Sequence, residues 1–359
     1  MSNELVLSFL TMDSFLDKAH ERVIELYNRK LPAQRTREWY QARTESITAS
    51  DLANVLPMSK TICDFYVTEF GLHDTFSYSE KKTCNKYSTL RETIIKKTEM
   101  NAQHNIRADK KDTLPSDAIM HGQMFEPVSQ MIYSQIKGED ILEVGLVKHP
   151  SIGFIAASPD GIAVQSGTML EIKCPSKRPV TNIPPLWYWI QMQAQMECCN
   201  LTMCDFFDCQ FVKYLFEDEW RHDATQWLTT NADSKQHKYG ILLEDPSASQ
   251  DKRYIYAPVT TVTPDQFDKW VSEEQSQKKG LKPIYYALEE YYLTPVRKQP
   301  NWLEVVLPKI EEAWNLITFF RARENADAYL EFINGGKKRQ MKPREVKNDM
   351  EGTFVQCLC

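Results

Sequence analysis

The chain has 359 residues, of which 42% are hydrophobic and 11% aromatic, enough for a sizeable core. It contains no apolar run of membrane-spanning length, and its first residues lack the basic region and cleavage site of a secretory signal, so we expect a soluble, intracellular protein without a membrane partner. The net charge of −6 does not exclude nucleic-acid binding, because an enzyme that encloses its substrate needs only a local positive lining.

Helical patterns dominate the first third of the chain. Apolar residues repeat at spacings of three and four over Met12–Arg29 and predict a helix. Thr48 and Ser50 precede a second apolar run and predict a capped helix whose free backbone N–H groups and positive dipole end face an anion. The following segment, roughly 60–112, is predicted to be a lysine-rich helical insertion.

A β-hairpin is predicted in the middle of the chain. Gly153–Ala157 is apolar and strand-like, and Ser158–Gly161 is a turn-forming SPDG tetrad. Gln165–Gly167 then reverses the chain into a second strand, Thr168–Lys173. This layout places Asp160 near a strand end, facing the second strand.

The hairpin gathers two carboxylates and a lysine. Because side chains alternate along a strand, Glu171 and Lys173 share one face while Ile172 points to the core. Two carboxylates, with water and a phosphate completing the shell, are what Mg²⁺ usually receives from a protein. Lys173 can orient or deprotonate the attacking water and offset charge on a phosphorane-like transition state. The alternative is a surface hairpin whose Glu and Lys pair across solvent, which the SPDG tetrad at this spacing disfavours.

These residues resemble the PD-(D/E)XK nucleases, in particular the branch of phage lambda exonuclease, the YqaJ-type viral recombinases and the viral alkaline nucleases. Glu38–Arg43 followed by Ile47–Asp51 is similar to that branch's W…R…ITAS signature, whose Arg and Ser bind a terminal 5′-phosphate. The resemblance implies this role for Arg43 and Ser50; the alternative is an ordinary capped helix with a surface arginine. It also implies an α/β, restriction-endonuclease-like core with a central mixed β-sheet flanked by helices, plus helical N-terminal and C-terminal elaborations.

Two further motifs stand in the family's order. His121–Pro127 resembles the family's G-x-x-x-E helix and implies that Glu126 assists the metal site directly or through water, with Met124, Phe125 and Val128 facing the core; the alternative is a solvent-facing helical Glu. Tyr188–Met196 resembles the glutamine-rich helix after the catalytic hairpin, where Gln191 best matches the glutamine that contacts the site. Gln195 lies four residues further on the same helical face, and Gln193 and Gln195 are the weaker candidates. The resemblance implies Mg²⁺, for which Mn²⁺ can substitute, with these ligands: Asp160, Glu171, the Ile172 backbone carbonyl and Glu126.

Cysteines and basic residues give weaker signals. Four cysteines cluster without a C-x-x-C pair, which favours buried free thiols in a reducing compartment over a zinc site: Cys198, Cys199, Cys204 and Cys209. The alternation of the strand-like segment around Cys209 places it on an apolar face with Phe207 and Phe211.

Among the basic stretches, Lys177 and Arg178 are the best placed for substrate binding because they lie just past the catalytic strand; the alternative for each stretch is a solvated face.

Four regions are expected along the chain. They are a helical region with the 5′-phosphate motif at 38–56 and the lysine-rich insertion (1–117), the nuclease core (118–216), a C-terminal α/β elaboration packing on the core (217–334) and a basic, polar tail (335–359). Within the elaboration, Tyr254–Val259 predicts a strand and Asn301–Arg323 predicts a helix.

The sequence therefore predicts a Mg²⁺-dependent deoxyribonuclease that digests linear double-stranded DNA from a 5′-phosphate end and leaves 3′ single-stranded tails for recombination or genome processing. The resemblance also implies a single-strand annealing protein as partner, a homo-oligomer that is a trimer in the lambda enzyme, and, for a viral protein, the host nucleus or cytoplasm. Two alternatives stay open: an endonuclease or alkaline-nuclease-type enzyme that also cuts RNA, and a non-catalytic DNA-binding recombination scaffold.

Overall fold

The computed structural model describes residues 18–56, 64, 68, 76, 90–102, 116–231, 237–249 and 252–333. The start of the predicted first helix, most of the lysine-rich insertion and the basic tail lie outside these residues. Within them, no helix combines the length and the apolar character needed to cross a bilayer.

Ten α-helices are described, and we number them in chain order. They are α1 (18–28), α2 (Arg37–Thr44), α3 (Ala49–Val55), α4 (Leu90–Ala102), α5 (Asp117–Lys137), α6 (Leu186–Cys199), α7 (Glu217–Thr230), α8 (Pro264–Gln277), α9 (Trp302–Arg321) and α10 (Ala326–Ile333). A 3₁₀ turn, Arg323–Asn325, joins the last two.

The strands of the described chain form two sheets. They are β1 (Ile47–Thr48), β2 (Ile141–Leu142), β3 (Val147–Lys148), β4 (Ile155–Ala157), β5 (Gly161–Ala163), β6 (Met169–Lys173), β7 (Met203–Tyr214), β8 (Tyr239–Glu244), β9 (Tyr254–Tyr256) and β10 (Lys282–Arg297). The smaller sheet has the order β1-β4-β3, and the larger has the order β2-β5-β6-β7-β10-β8-β9. In the larger sheet β6 and β7 run parallel while the other neighbours are antiparallel, so this central sheet is mixed.

Strand β7 shows that the central sheet is covered on both faces. Cys204 and Phe206 pack in the core formed with α3, α6 and α9, whereas Phe207, Cys209 and Phe211 pack against α5. Burial of each large apolar side chain contributes roughly 1.5–3 kcal/mol, which explains why both faces carry helices. The prediction of an α/β fold with a mixed sheet flanked by helices is confirmed. Cys209 is a buried free thiol on an apolar face, as predicted.

The C-terminal part of the chain contributes strands to the same sheet. β10 pairs antiparallel with β7 from Tyr285↔Tyr214 to Arg297↔Met203 and also pairs with β8. The sequence analysis does not predict β8 or β10, although the strand at Tyr254–Tyr256 and the helix at Trp302–Arg321 agree with it. Residues beyond 216 thus supply three strands of the central sheet.

A glycine fixes the loop that leads from α1 to α2. Gly145 has a φ of +73°, a left-handed conformation that favours glycine. The next residue, Leu146, donates its backbone N–H to the Pro32 carbonyl oxygen at 3.0 Å. A Cβ atom on Gly145 would lie 2.3 Å from that same oxygen, so no side chain fits without moving the backbone.

We therefore expect Gly145→Ala to lower the free energy of unfolding by about 2–4 kcal/mol, through the unfavourable φ and the backbone clash. Chemical denaturation followed by circular dichroism measures the change. Gly122→Ala is the matched control: a Cβ there meets no atom within 4 Å, and alanine in helix α5 should gain roughly 0.5–1 kcal/mol. Equal stabilities of the two variants would contradict the close approach at Pro32.

Candidate active site

The predicted hairpin forms and directs Asp160 across it. Strands β5 and β6 pair antiparallel, and the backbone N–H of Asp160 donates to the Leu170 carbonyl at 3.1 Å. The Asp160 carboxylate then accepts the Ile172 backbone N–H at 2.7 Å. This hydrogen bond holds the first carboxylate beside the strand that carries Glu171 and Lys173.

Three side chains from other elements fix the turn that contains Asp160. Gln130 of α5 donates to the Asp160 carbonyl at 3.1 Å, and Gln34 donates to the preceding carbonyl at 3.2 Å. The indole Nε1 of Trp39 donates to the Ser158 hydroxyl at 2.9 Å. The turn is thereby held by α5, α2 and the loop before α2, so the position of Asp160 does not depend on the hairpin alone.

Glu171 is a fully buried carboxylate with a partner on each oxygen. Its exposed fraction is 0%, so it lies under α6 and not on a solvent-facing surface. Oε1 accepts a hydrogen bond from Lys173 Nζ, and Oε2 accepts one from Gln195 Nε2 at 2.6 Å. The Lys173 ammonium also lies 5.0 Å from the centre of the Tyr188 ring, a cation–π contact. A buried charge requires such partners, because an unpaired one would cost several kcal/mol.

The glutamine that reaches the carboxylate is Gln195. Gln191, which the resemblance favours, makes no hydrogen bond to Asp160, Glu171 or Lys173 within the described part of the chain, and its role in orienting the scissile region stays a prediction. Gln195, a weaker candidate in the sequence, lies one turn further along the same helical face, and this i, i+4 relation is the sequence signal that points to it. Gln193 has a structural role: it bonds the Arg297 carbonyl at 3.0 Å and ties α6 to the end of β10.

Glu126 approaches the site from α5. Its neighbours Met124 and Phe125 are buried in the core on the other side of that helix, as predicted. The Glu126 carboxylate lies 3.6 Å from the guanidinium of Arg35, an ion pair that the sequence analysis does not anticipate. Burial raises the pKa of Glu126, while the positive charges of Arg35 and Lys173 act in the opposite direction.

The ionisable groups around the hairpin carry more negative than positive charge. Burial, reinforced by the charge of Glu171, raises the pKa of Asp160 well above its ordinary value. Burial opposes the charged form of Lys173, yet the carboxylates of Glu171 and Asp160 raise the pKa of Lys173 above its usual range. Two cations, Lys173 and Arg35, therefore stand beside three carboxylates, those of Asp160, Glu171 and Glu126, and this excess of negative charge favours a further cation.

Asp160 and Glu171 fit a magnesium ion, which typically takes one or two protein carboxylates and completes its shell with water and phosphate oxygens. Ile172, whose carbonyl is the third predicted ligand, lines the space beside them. No group of three or more His, Cys, Asp or Glu side chains converges into a metal cluster in the described residues. Glu126 is therefore not part of a ready three-carboxylate cluster; it pairs with Arg35, and its assistance to the metal stays a prediction.

Two clefts meet at the hairpin, and both are lined by Glu126 and Ile172. The first has a volume of about 420 Å³ and the second about 680 Å³. Asp160 lies on the first cleft and Lys173 on the second, so the acidic hairpin opens to solvent on both sides.

The predicted basic pair lines the larger cleft. Arg178 donates both guanidinium nitrogens to Asp208, at 2.6 and 2.8 Å, and Asp208 is fully buried. Lys177 is exposed on the same cleft. The bidentate ion pair orients Arg178, and sequence reasoning misses Asp208 because it lies on a strand 30 residues further along.

The predicted phosphate-binding arginine is linked to the turn that contains Asp160. The Arg43 guanidinium lies 4.4 Å from the centre of the Trp39 ring, and Trp39 bonds Ser158, two residues before Asp160. Stacking of this kind orients the planar guanidinium. The W…R motif and the SPDG tetrad are therefore one connected unit in space.

The prediction that the Thr48 side chain caps helix α3 is wrong. Thr48 occupies the N-cap position, but its hydroxyl donates to the Asp51 carboxylate at 2.6 Å and contacts the Ser50 hydroxyl at 3.1 Å instead of a backbone N–H. Asp51 is buried and pairs with Lys97 at 2.7 Å, and burial lowers the pKa of Lys97 to about 8. Thr48 thus belongs to a buried ion-pair network that joins α3 to α4, while Ser50 remains exposed.

The chain combines an α/β fold with a hairpin that carries a carboxylate–lysine ion pair, and comparison with known proteins shows what it is similar to. Residues 38–202 match the model of the YqaJ-like viral recombinase domain, which confirms the resemblance seen in the motifs. An uncharacterized protein of Acanthamoeba polyphaga mimivirus is 25% identical over 258 residues, which cover 61% of this chain and 47% of that protein. The chain thus spans about half the length of the curated relative it matches.

Solved structures with remote similarity were also found. The alkaline exonuclease LHK-Exo from Laribacter hongkongensis is 17% identical, with 83% of this chain and 98% of that chain covered and a TM-score of 0.40. A phage-related exonuclease from Haemophilus somnus is 11% identical, with 80% of this chain and 96% of that chain covered and a TM-score of 0.37.

We expect Asp160→Asn to stabilise the metal-free protein at pH 8 by on the order of 1–3 kcal/mol, because asparagine still accepts the Ile172 N–H but carries no buried charge. In the wild type, the unfolding free energy is reduced by the cost of burying the Asp160 charge. This cost is absent below the pKa of the carboxyl in the unfolded chain, grows as the pH rises, and is complete above the raised pKa of Asp160 in the folded chain. The advantage of the variant should therefore disappear near about pH 4.

Guanidinium denaturation in EDTA at the two pH values measures this difference. A variant that is less stable than the wild type at pH 8 would contradict the desolvated, like-charged environment assigned to Asp160.

Proposed function

We propose that the protein is a Mg²⁺-dependent deoxyribonuclease of the PD-(D/E)XK type that digests linear double-stranded DNA from 5′ ends and leaves 3′ single-stranded tails. The observation that carries the proposal is that Asp160 bonds the backbone of the strand on which Glu171 and Lys173 form an ion pair, while Asp160 and Lys173 line two neighbouring clefts. The YqaJ-like match over residues 38–202 supports a nuclease, since it covers all four motifs. A purely structural hairpin would not need a desolvated Asp160 beside a second buried carboxylate.

Asp160, Glu171 and the Ile172 carbonyl would hold the magnesium ion, with Glu126 assisting. When bound, the ion supplies Lewis-acid stabilisation of the phosphate and lowers the pKa of water. Lys173 donates to the attacking water and offsets negative charge on the phosphorane-like transition state. Gln195 keeps Glu171 oriented by its hydrogen bond to the other carboxylate oxygen.

Recognition of the DNA end rests on the W…R…ITAS unit. Arg43 presents a stacked guanidinium whose fork suits a terminal phosphate, and the exposed Ser50 hydroxyl adds a hydrogen bond. Trp39 links this unit to Ser158 in the catalytic turn, so a terminal phosphate bound at Arg43 is held at a fixed position relative to Asp160. This fixed spacing favours cleavage near an end over cleavage within a closed duplex.

Asp160→Ala and Lys173→Ala should each lower the rate of digestion of linear duplex in Mg²⁺ by at least about a hundredfold, because each removes a group that acts on the reacting phosphate or water. The measurement is release of acid-soluble nucleotide from end-labelled linear duplex, beside closed circular duplex and a labelled RNA hairpin. Digestion confined to linear DNA supports the exonuclease. Cutting of the circle or the RNA would favour the alternative substrates, and wild-type behaviour of both variants would sink the proposal.

Arg43→Ala should abolish the preference for 5′-phosphorylated over 5′-hydroxyl linear duplex, since the guanidinium supplies a charge-assisted contact of roughly 1.5–3 kcal/mol, or about ten- to a hundredfold in rate. The two substrates, distinguished by colour-coded labels, are digested in one reaction so that their initial rates are compared directly. Arg221→Ala is the charge-matched control, because it removes an arginine of α7 that pairs with Glu217 on the same helix and with Asp268 on α8. A preference that survives Arg43→Ala would assign end recognition to another residue.

A further inference from the structure

Arg35 has a backbone conformation that an arginine rarely adopts. Its φ is +66°, in the left-handed region, where a residue with a Cβ pays roughly 1–2 kcal/mol that glycine does not. Only Asn200 and Asn301 share this feature among the non-glycine residues of the described chain, and asparagine tolerates it better than arginine does. An arginine at such a position calls for a compensating role of its side chain.

The loop around Arg35 is anchored on both sides, so the strain is imposed by the fold. The Pro32 carbonyl accepts the Leu146 N–H at 3.0 Å, and Gln34 donates to the carbonyl that precedes Asp160 at 3.2 Å. On the other side, the Thr36 hydroxyl accepts the Trp39 N–H at 3.2 Å and caps α2. These contacts leave Arg35 little freedom to relax its backbone.

The strained backbone directs the Arg35 side chain at the candidate active site. Its guanidinium lies 3.6 Å from the Glu126 carboxylate and lines the 420 Å³ cleft that Asp160 also lines. About one third of each side chain of this ion pair is exposed, at 34% and 32%, so the pair faces the cleft and is not sealed in the core. Lys173 stands on the neighbouring cleft, so the two cations flank Glu126 from opposite clefts.

We infer that Arg35 is a positioning residue for Glu126: it holds that carboxylate at the junction of the two clefts, in the orientation from which Glu126 assists the divalent cation directly or through water. This rests on the proposed metal-dependent function. Without Arg35, the Glu126 side chain at the middle of a helix has several rotamers available and a cleft into which to turn. Partners that orient a ligand in this way are typically worth ten- to a hundredfold in metal affinity.

Substitution of Arg35 by glycine separates the effect of the side chain from the effect of the backbone conformation. Arg35→Gly removes the guanidinium but suits a φ of +66°, so it should leave the melting temperature unchanged or raise it, while the affinity for Mn²⁺ falls about tenfold or more. Arg35→Lys retains a charge that can reach Glu126 and should restore most of that affinity. Mn²⁺ binding to the full chain without DNA is followed by electron paramagnetic resonance, with thermal denaturation as the folding check.

Two control variants test whether the loss of Mn²⁺ affinity is specific to Arg35 and acts through Glu126. Asn301→Gly relieves a left-handed residue, at φ +62°, whose side chain makes no cap hydrogen bond, and it should bind Mn²⁺ as the wild type does. Glu126→Gln combined with Arg35→Gly should bind no more weakly than Glu126→Gln alone, because Arg35 acts through Glu126.

Unchanged Mn²⁺ affinity in Arg35→Gly, or losses that add in the double variant, would overturn the positioning role. In both cases a wild type that binds Mn²⁺ and digests duplex leaves the proposed function intact. A wild type that neither binds Mn²⁺ nor digests duplex overturns the proposed function and this inference with it.

Discussion

The ion pair between the buried Glu171 and Lys173, which lines a cleft, is the interaction on which the rest of the site depends. The Glu171 carboxylate has no exposed surface, so each of its oxygens needs a partner from the protein: Lys173 from the same strand and Gln195 from α6. Breaking such a buried pair leaves an uncompensated charge and costs roughly 3–5 kcal/mol. The hairpin, the helix above it and the sheet that carries both are therefore coupled through one side chain.

The mixed sheet explains how these groups meet. Alternation on β6 sends Leu170 and Ile172 toward α5 and sends Glu171 toward α6. The same alternation on β7 places Asp208 beside Arg178 on the α6 side. Apolar packing on both faces thus fixes the register, and a shift of one residue would exchange the buried carboxylate for a buried isoleucine. The chemistry of the site and the stability of the fold rest on the same register.

Prediction from sequence succeeded where spacing along one element determined position. Turn residues and strand alternation placed Asp160 against β6, and helical spacing placed Met124 and Phe125 in the core. It failed where a partner came from a distant part of the chain. The ion pair of Arg35 with Glu126 joins two residues far apart in sequence, and no local pattern indicates it. Thr48 was misassigned because a buried carboxylate, Asp51, competes for its hydroxyl. Strand β10, rich in tyrosine and charge, carries little alternation to mark it.

The central claim is that Asp160 and Glu171 hold a divalent cation against the phosphodiester that is cleaved. The most direct measurement replaces a non-bridging oxygen of the terminal linkage of a linear duplex with sulfur and compares single-turnover rates in Mg²⁺ and in Mn²⁺. Magnesium contacts sulfur poorly, so the account predicts slow cleavage in Mg²⁺ that the softer ion restores. Equal rates for the oxygen and sulfur substrates in Mg²⁺, with cleavage that persists in EDTA, would contradict it.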